Sequence, residues 1–567
     1  MAHGFHGAFY CWDAVEDADE VEHLPAALPA AEEAGGAESD GDGATTAAAA
    51  AAAAAAAPLP SLVPTRWIAK TGPTGHHSEA RDLAWDPSGS YLVTVSNDQT
   101  ARLFMPCKAA GEQPASWHEV ARPQVHGYDM RCAVFTAPHV LVTGSDEKVI
   151  RVFEAPGNFF EAASSLCDVE DSIFAKIAIA GASKPVGASI PALGLSNKAI
   201  FNVSSAAAGA GADGGGGSGA DADAGAGASP GAGNGDGSGG SAHTLRAPEG
   251  GGGGAGGGDE HLGGVDGTTR TAHSTNGVVL PFERRKDVKA APDEAHLVQN
   301  TLWPETQKLF GHGFELITLA ANHAGTLVVS ACKATSTEHA VLRVWSTASW
   351  QEVYTLAGHK LTVTRAAFSP SDEWLVSGSR DRQLCIYRRA AEPDGGGGGG
   401  AAVPQYTLVQ TVAKAHDRII WDLCWTPDSA FFATGSRDKT VNFWAPAPEG
   451  AAEPWVVVHK TKKLGDSVTA LDFAPSLLPG GAAGAYVLAV GFEKGSVVVY
   501  SAAADGAAQG GVAVAALHAV DPSLCPPATI KRMKWRVQAG KVEQEPWTAE
   551  LAFCAEDSSV RIISVTL

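Results

Sequence analysis

Three sets of side chains in this chain of 567 residues have the makings of a nucleophile–base–acid relay. His416, Thr434 and Asp438 are followed by Trp444. His359, Ser377 and Asp381 are followed by Tyr387, and His76, Thr94 and Asp98 by Phe104. A hydroxyl, an imidazole and a carboxylate are the parts of a hydrolase triad, but geometry decides whether such a set reacts. Here the sets recur at identical offsets of 18, 22 and 28 residues from each histidine, and no strand-to-helix nucleophile elbow accompanies them. Repetition of that kind marks a structural device. An aspartate in a tight turn accepts from backbone amides and from the histidine. The histidine in turn bonds the hydroxyl, and an indole N–H completes the line. We therefore read these residues as structural tetrads and assign no catalytic residue.

The sets sit in repeated phrases: TVSNDQTARLF (94–104), SGSRDRQLCIY (377–387) and TGSRDKTVNFW (434–444). Units of about 40–50 residues with Gly-His near the start and a Trp-Asp-like end build β-propeller blades. Eight units are recognisable. They start at Gly75-His76, at His126, over a weaker stretch 172–203, at Gly311-His312, at Gly358-His359 and at His416, and two more end at Tyr500 and Val565. Short runs of Val, Ile, Leu and aromatics alternate with turns such as WDPSG, FSPSD and WTPDS, where Pro and Asp suit a tight hairpin. The prediction is an all-β, seven-bladed WD40 β-propeller, with remnant strands of a preceding propeller and disordered insertions.

The elements are expected to lie as follows. Residues 1–24 hold closing strands of an earlier blade, with Trp12-Asp13 as its terminal dipeptide, so the chain is expected to open inside an earlier propeller. Residues 25–60 form an Ala-rich acidic linker and 61–567 the propeller region. The repeat at 75–104 belongs either to that region or to the preceding propeller. A Gly/Ala/Asp insertion over 205–275 and a Gly-rich loop over 392–403 have too little apolar surface to offset ordering entropy. Both follow the third strand of a unit, where long loops are tolerated. Residues 13–43 and 205–269 carry 18 of the 21 net negative charges, which leaves the folded part near neutrality.

Within that near-neutral body, Arg380, Arg382, Arg418, Arg437 and Lys439 flank two neighbouring turns and gather on one rim, a candidate surface for RNA phosphates or an acidic partner. Trp421 and Trp425 lie nearby, in a strand context that predicts core positions. Nine cysteines, none spaced as CxxC, indicate neither a disulfide framework nor a zinc knuckle. No phosphate-binding, dinucleotide or metalloprotease motif appears, so no cofactor, metal or small-molecule substrate is expected. The N-terminus has no signal-peptide pattern and the alanine run is too short to span a bilayer. We expect a soluble protein away from membranes, in the cytoplasm and also the nucleus.

Several less regular phrases carry a more specific resemblance. GFHGAFYCW (4–12), WHEVARPQVHGYDMRC (117–132), PALGLSNKAIF (191–201), LWPETQKLFGHGFEL (302–316), SACKATSTEHAVLRVW (330–345) and HDRIIWDLCWTPDS (416–429) resemble, in order, the WD40 double-propeller subunits of Elongator complexes. ACKATSTEHA weighs most, because it expands the usual Asp turn. Most of the family's first propeller is missing here, and the insertions are larger than the family's. In the unit at 126–153 the turn carboxylate is either Asp146 or Glu147. The resemblance implies a non-catalytic subunit of a complex that adds a carboxymethyl-type group to the wobble uridine of tRNA. It would bridge a large scaffold subunit and a catalytic subunit with radical-SAM and acetyltransferase-like domains, with tRNA a further partner at the basic rim. The alternative is a generic WD40 adaptor, such as a substrate receptor of a ubiquitin ligase.

Overall fold

The computed structural model describes residues 2–3, 9–16, 65–70, 74–108, 116–167, 185–190, 196–200, 269–275, 278–284, 291–390, 403–448, 450–478, 485–504, 511–537 and 547–567. Seven antiparallel sheets make up the propeller. Blade 1 is Ala80–Trp85, Leu92–Ser96, Thr100–Cys107 and Ser116–Val125. Blade 2 is Met130–Ala137, Val140–Ser145 and Val149–Glu154, completed by Glu305–Phe310. Blade 3 runs from Leu316–Ala321 to Gln351–Leu356 and blade 4 from Val363–Phe368 to Tyr406–Val412. Blade 5 runs from Ile420–Trp425 to Trp455–Lys460 and blade 6 from Val468–Phe473 to Val512–Ala519. Blade 7 has three strands among the described residues: Ile530–Trp535, Thr548–Ala555 and Val560–Thr566. Each inner strand touches the next around the ring, and the inner strand of blade 7 returns to that of blade 1.

The ring settles the count of units. The repeat at 75–104 supplies the first three strands of blade 1. Among the described residues, the weak unit at 172–203 supplies no blade. Its described residues form a two-stranded ribbon, Gly187–Ser189 against Lys198–Ile200, inserted before the outer strand of blade 2. Its buried Val186 and Ile200 form a small cluster of their own, apart from the clusters of the blades. The 205–275 insertion occupies the same place in chain order, and the 392–403 loop precedes the outer strand of blade 4. Residues 205–268 and 392–402 lie outside the described residues, whereas Thr269–Thr275 pairs as a strand with Val278–Arg284, a correction to the boundary at 275. At the N-terminus, Ala2–His3, Phe9–Glu16 and Thr65–Lys70 form a separate three-stranded sheet, and the 25–60 linker lies outside the described residues.

Local chemistry explains the strand rhythm. In the WDPSG turn, Gly89 N–H donates to the Asp86 carbonyl at 2.9 Å with φ +71°, and a Cβ there would lie 1.8 Å from the Val537 carbonyl oxygen. Only glycine fits a left-handed turn so close to another backbone. Between blades, aspartates reach across. Asp82 accepts from Ala133 N at 3.2 Å, Asp422 from Leu471 N at 2.9 Å, and Asp472 from Trp535 N at 2.9 Å. Indoles at the ends of inner strands reach the other way, Trp425 to the Ala367 carbonyl and Trp85 to the Lys534 carbonyl, the latter closing the ring. Among the described residues, two α-helices lie outside the blades: α1 (Gly157–Leu166) and α2 (Glu294–Asn300). The α1 residues Phe159, Phe160, Ala163 and Leu166 pack into the core under blade 1. Among the described residues, no helix is long and apolar enough to cross a membrane.

Candidate functional site: a charged channel mouth

The histidine, hydroxyl and carboxylate of each set meet at the blade turns, and in blade 5 the indole joins them. His416 Nδ1 lies 3.0 Å from Asp438 and its Nε2 2.8 Å from the Thr434 hydroxyl, to which Trp444 Nε1 donates at 3.0 Å. In blade 4, His359 sits 2.8 Å from Ser377 Oγ and 3.3 Å from Asp381, while the Tyr387 hydroxyl donates to the Ala357 carbonyl at 3.5 Å. In blade 1, His76 lies 2.8 Å from both Asp98 and Thr94, and Phe104 ends the line without a donor. The aspartates also accept backbone N–H groups, Asp381 from Lys360 and Gln383. Burial alone would lower His359 and raise Asp381. The bond between them, with the Cys385 thiol beside His359 and the Lys360 and Gln383 amides on Asp381, reverses both, so His359 is pushed up to about 9 and Asp381 held at about 2. Thr94, Ser377 and Thr434 are fully buried, so no substrate carbonyl can reach their hydroxyls.

Two further sets escape a search for the regular phrase. His312 bonds Ser330 at 2.7 Å, and Trp345 Nε1 donates to the same oxygen at 2.8 Å. Its aspartate is absent, because ACKATSTEHA replaces that turn, and burial beside Arg343 lowers His312 to about 3. In blade 2 the ambiguous carboxylate is resolved. Glu147 lies 3.0 Å from His126, whereas Asp146 pairs with Arg131.

Every inner strand carries a bulge near its start, and these bulges shape the channel. They fall at Arg81, Arg131, Ile317, Thr364, Trp421, Thr469 and Lys531. All of these residues line one cavity of about 740 Å³ at the channel mouth. An extra residue in one strand breaks the in–out alternation and re-aims its side chain. Of the residues just after the bulges, four line the same cavity, Asp82, Arg365, Asp422 and Arg532. Arg532 bonds Asp422 at 2.6 Å and approaches Asp82 at 3.5 Å. Arg365 approaches Asp422 at 3.4 Å and Asp82 at 3.6 Å. Two arginines and two aspartates thus form a neutral ionic ring across blades 1, 4, 5 and 7. No sequence interval announces it, because its members are separated by whole blades.

The five rim cations fall in the sector of blades 4 and 5. Arg380 lines the cavity and is exposed, as are Arg382, Arg418 and Arg437. Arg382 and Lys439 occupy left-handed turn positions, with φ +70° and +71°, and Lys439 donates to the Gly465 carbonyl at 3.2 Å. Among the described residues, none of the five has a carboxylate within ion-pair distance. On the opposite side of the mouth the charges are paired, Lys531 with Glu79 and Glu556, and Arg131 with Asp146. One expectation fails. Trp421, read as core, is 37% exposed at its bulge beside the cations, while Trp425 is buried in an aromatic cluster with Phe432 and Trp455.

A model for the WD domain, G-beta repeat, matches residues 69–104, 350–388 and 406–445. Elongator complex protein 2 of Rattus norvegicus is 34% identical over 508 residues, covering 88% of this chain and 54% of that protein. The Homo sapiens protein of the same name is 34% identical over 512 residues, with the same coverage, and that of Arabidopsis thaliana is 30% identical over 571 residues, covering 100% of this chain and 54% of its own. The chain spans about half the length of the curated relatives it matches. A solved WD40 β-propeller domain of Doa1 aligns at a TM-score of 0.40 and 12% identity, over 86% of this chain and 94% of that one. By its repeats and its ring of seven blades the chain belongs to the WD40 β-propeller proteins, and within them its similarity is to the Elongator complex protein 2 family.

Proposed function

We propose that this chain is a non-catalytic assembly subunit of an Elongator-like complex, acting in the cytoplasm and nucleus. It supports carboxymethyl-type modification of wobble uridine in tRNA by bridging the catalytic subunit and the large scaffold subunit. The observation that carries this reading is the collinear similarity over 88% of the chain to proteins named Elongator complex protein 2. The engagement of each hydroxyl–imidazole–carboxylate set in a buried turn supports a role in presenting surfaces. Affinity purification of the full-length product tests it. Recovery of Elongator-like scaffold and catalytic subunits is the expected result, and recovery of a ubiquitin-ligase core in their place would overturn it.

The mouth offers a second contact within the same role. Exposed Trp421 beside Arg380, and the further cations of blades 4 and 5, combine a stacking surface with phosphate-directed charge, the pairing that single-stranded RNA recognition uses. We assign this sector to tRNA or an acidic partner surface. The double variant Arg380→Glu with Arg437→Glu should lower retention of partner subunits or tRNA at least tenfold without shifting the unfolding midpoint. Unchanged retention of both would remove the assignment.

A further inference from the structure

Cys107 is the last residue of the third strand of blade 1, and Cys167 follows α1 directly. The two are partners in an isolated antiparallel bridge between segments about 60 residues apart in the chain. Lys108 N–H donates to the Leu166 carbonyl at 2.8 Å, so the hydrogen bond flanks the pair and does not join it. In such a non-hydrogen-bonded pair the opposed Cα atoms lie about 4.5 Å apart with their side chains turned toward each other. That separation falls inside the range of about 4.4–6.8 Å over which a disulfide spans two backbones. Cys107 Sγ donates to the Met105 carbonyl at 3.8 Å, and the adjacent Cys167 thiol holds Cys107 below the ordinary thiol range. Burial moves Cys132, Cys332, Cys424, Cys525 and Cys554 the other way, so the Cys107–Cys167 pair is set apart from those thiols. It is also the less buried of the two, 7% exposed against 1% for Cys167.

We propose that Cys107 and Cys167 form a redox-responsive pair that closes to a disulfide when the surrounding small-molecule thiol pool turns oxidising. The Cys107 thiolate attacks one sulfur of glutathione disulfide and expels a glutathione thiolate. The Cys167 thiolate then attacks the Cys107 sulfur and expels the second. Two protein thiols lose two electrons and two protons in all, and one glutathione disulfide becomes two glutathione thiols. The bond staples the end of α1 to blade 1, at the edge of a cluster that holds Met105, Phe159 and Phe160. Closing a loop of about 60 residues disfavours the unfolded chain roughly a thousandfold by chain entropy, so the oxidised protein resists unfolding.

The test uses the full chain, equilibrated in glutathione buffers of graded composition from both the reduced and the diamide-oxidised side. Free thiols are then alkylated and the peptides identified by mass spectrometry. The expected result is a peptide pair linked through Cys107 and Cys167, abolished by dithiothreitol, with a melting temperature several degrees above that of the reduced protein. Cys107→Ser and Cys167→Ser should each remove both the linked peptide and the redox-dependent part of the melting shift, whatever their own baseline stability. Full alkylation of both cysteines at the oxidising end, from either starting state, would overturn the proposal. So would a melting shift that survives either substitution.

Discussion

Replacing His359 with glutamine should remove a pH-dependent part of the stability of the propeller, with a sign fixed by the tetrad. His359 is buried, and its contacts with Asp381 and with the Cys385 thiol push it up to about 9 from 6.5. A histidine whose folded value exceeds its unfolded one contributes stability that is complete below the unfolded value. That contribution disappears as pH rises through the folded value. The window therefore runs from about pH 6.5 to 9, across which about 3 kcal/mol is lost. Asp381, held at about 2, reports the same ion pair from the acid side and is not counted again. His76, lowered by burial, contributes in the opposite sense below its unfolded value, so the useful quantity is the difference between wild type and variant. Urea unfolding of both proteins at half-unit steps from pH 6 to 9.5 yields that difference. It should shrink by about 3 kcal/mol across the series. A difference that stays constant, or grows toward alkaline pH, would refute a charged His359–Asp381 pair.

Arg532→Ala removes one of the two guanidinium groups from Asp82 and Asp422, and should cost about 3–5 kcal/mol in denaturant unfolding. Adding Asp422→Ala should cost less than the sum of the two single changes, since it removes one of the uncompensated charges. Gly89→Ala forces a side chain into a left-handed turn against the Val537 carbonyl, and should lower stability by about 2 kcal/mol or more, read as a fall in melting temperature. Trp425→Ala empties a buried aromatic cluster and should cost about 3–5 kcal/mol. Trp421→Ala should change the unfolding free energy by less than about 1 kcal/mol while weakening RNA or partner retention at the mouth, as pull-down will register.

Local chemistry was readable from the chain itself. The offsets from His416 to Thr434, Asp438 and Trp444 are fixed by two short strands and the turn between them, so spacing was enough to predict the bonds that form. The same holds for the Pro and Asp turns, which need only their own four residues. Tertiary structure decided whatever depends on how blades meet. The weak unit at 172–203 imitates the strand rhythm, but a blade must pack against two neighbours, and the described residues of this stretch form a ribbon outside the ring. Trp421 was misread because a bulge at Ile420–Asp422 breaks the alternation that a strand pattern assumes. Asp82, Arg365, Asp422 and Arg532 look like unrelated charges along the sequence and face one another only when the ring closes. Cys107 and Cys167 belong to no spacing motif, and a backbone bridge outside the blades makes them neighbours. Contacts within a few residues are dictated by covalent reach and turn geometry, whereas contacts across blades depend on closure of the whole ring.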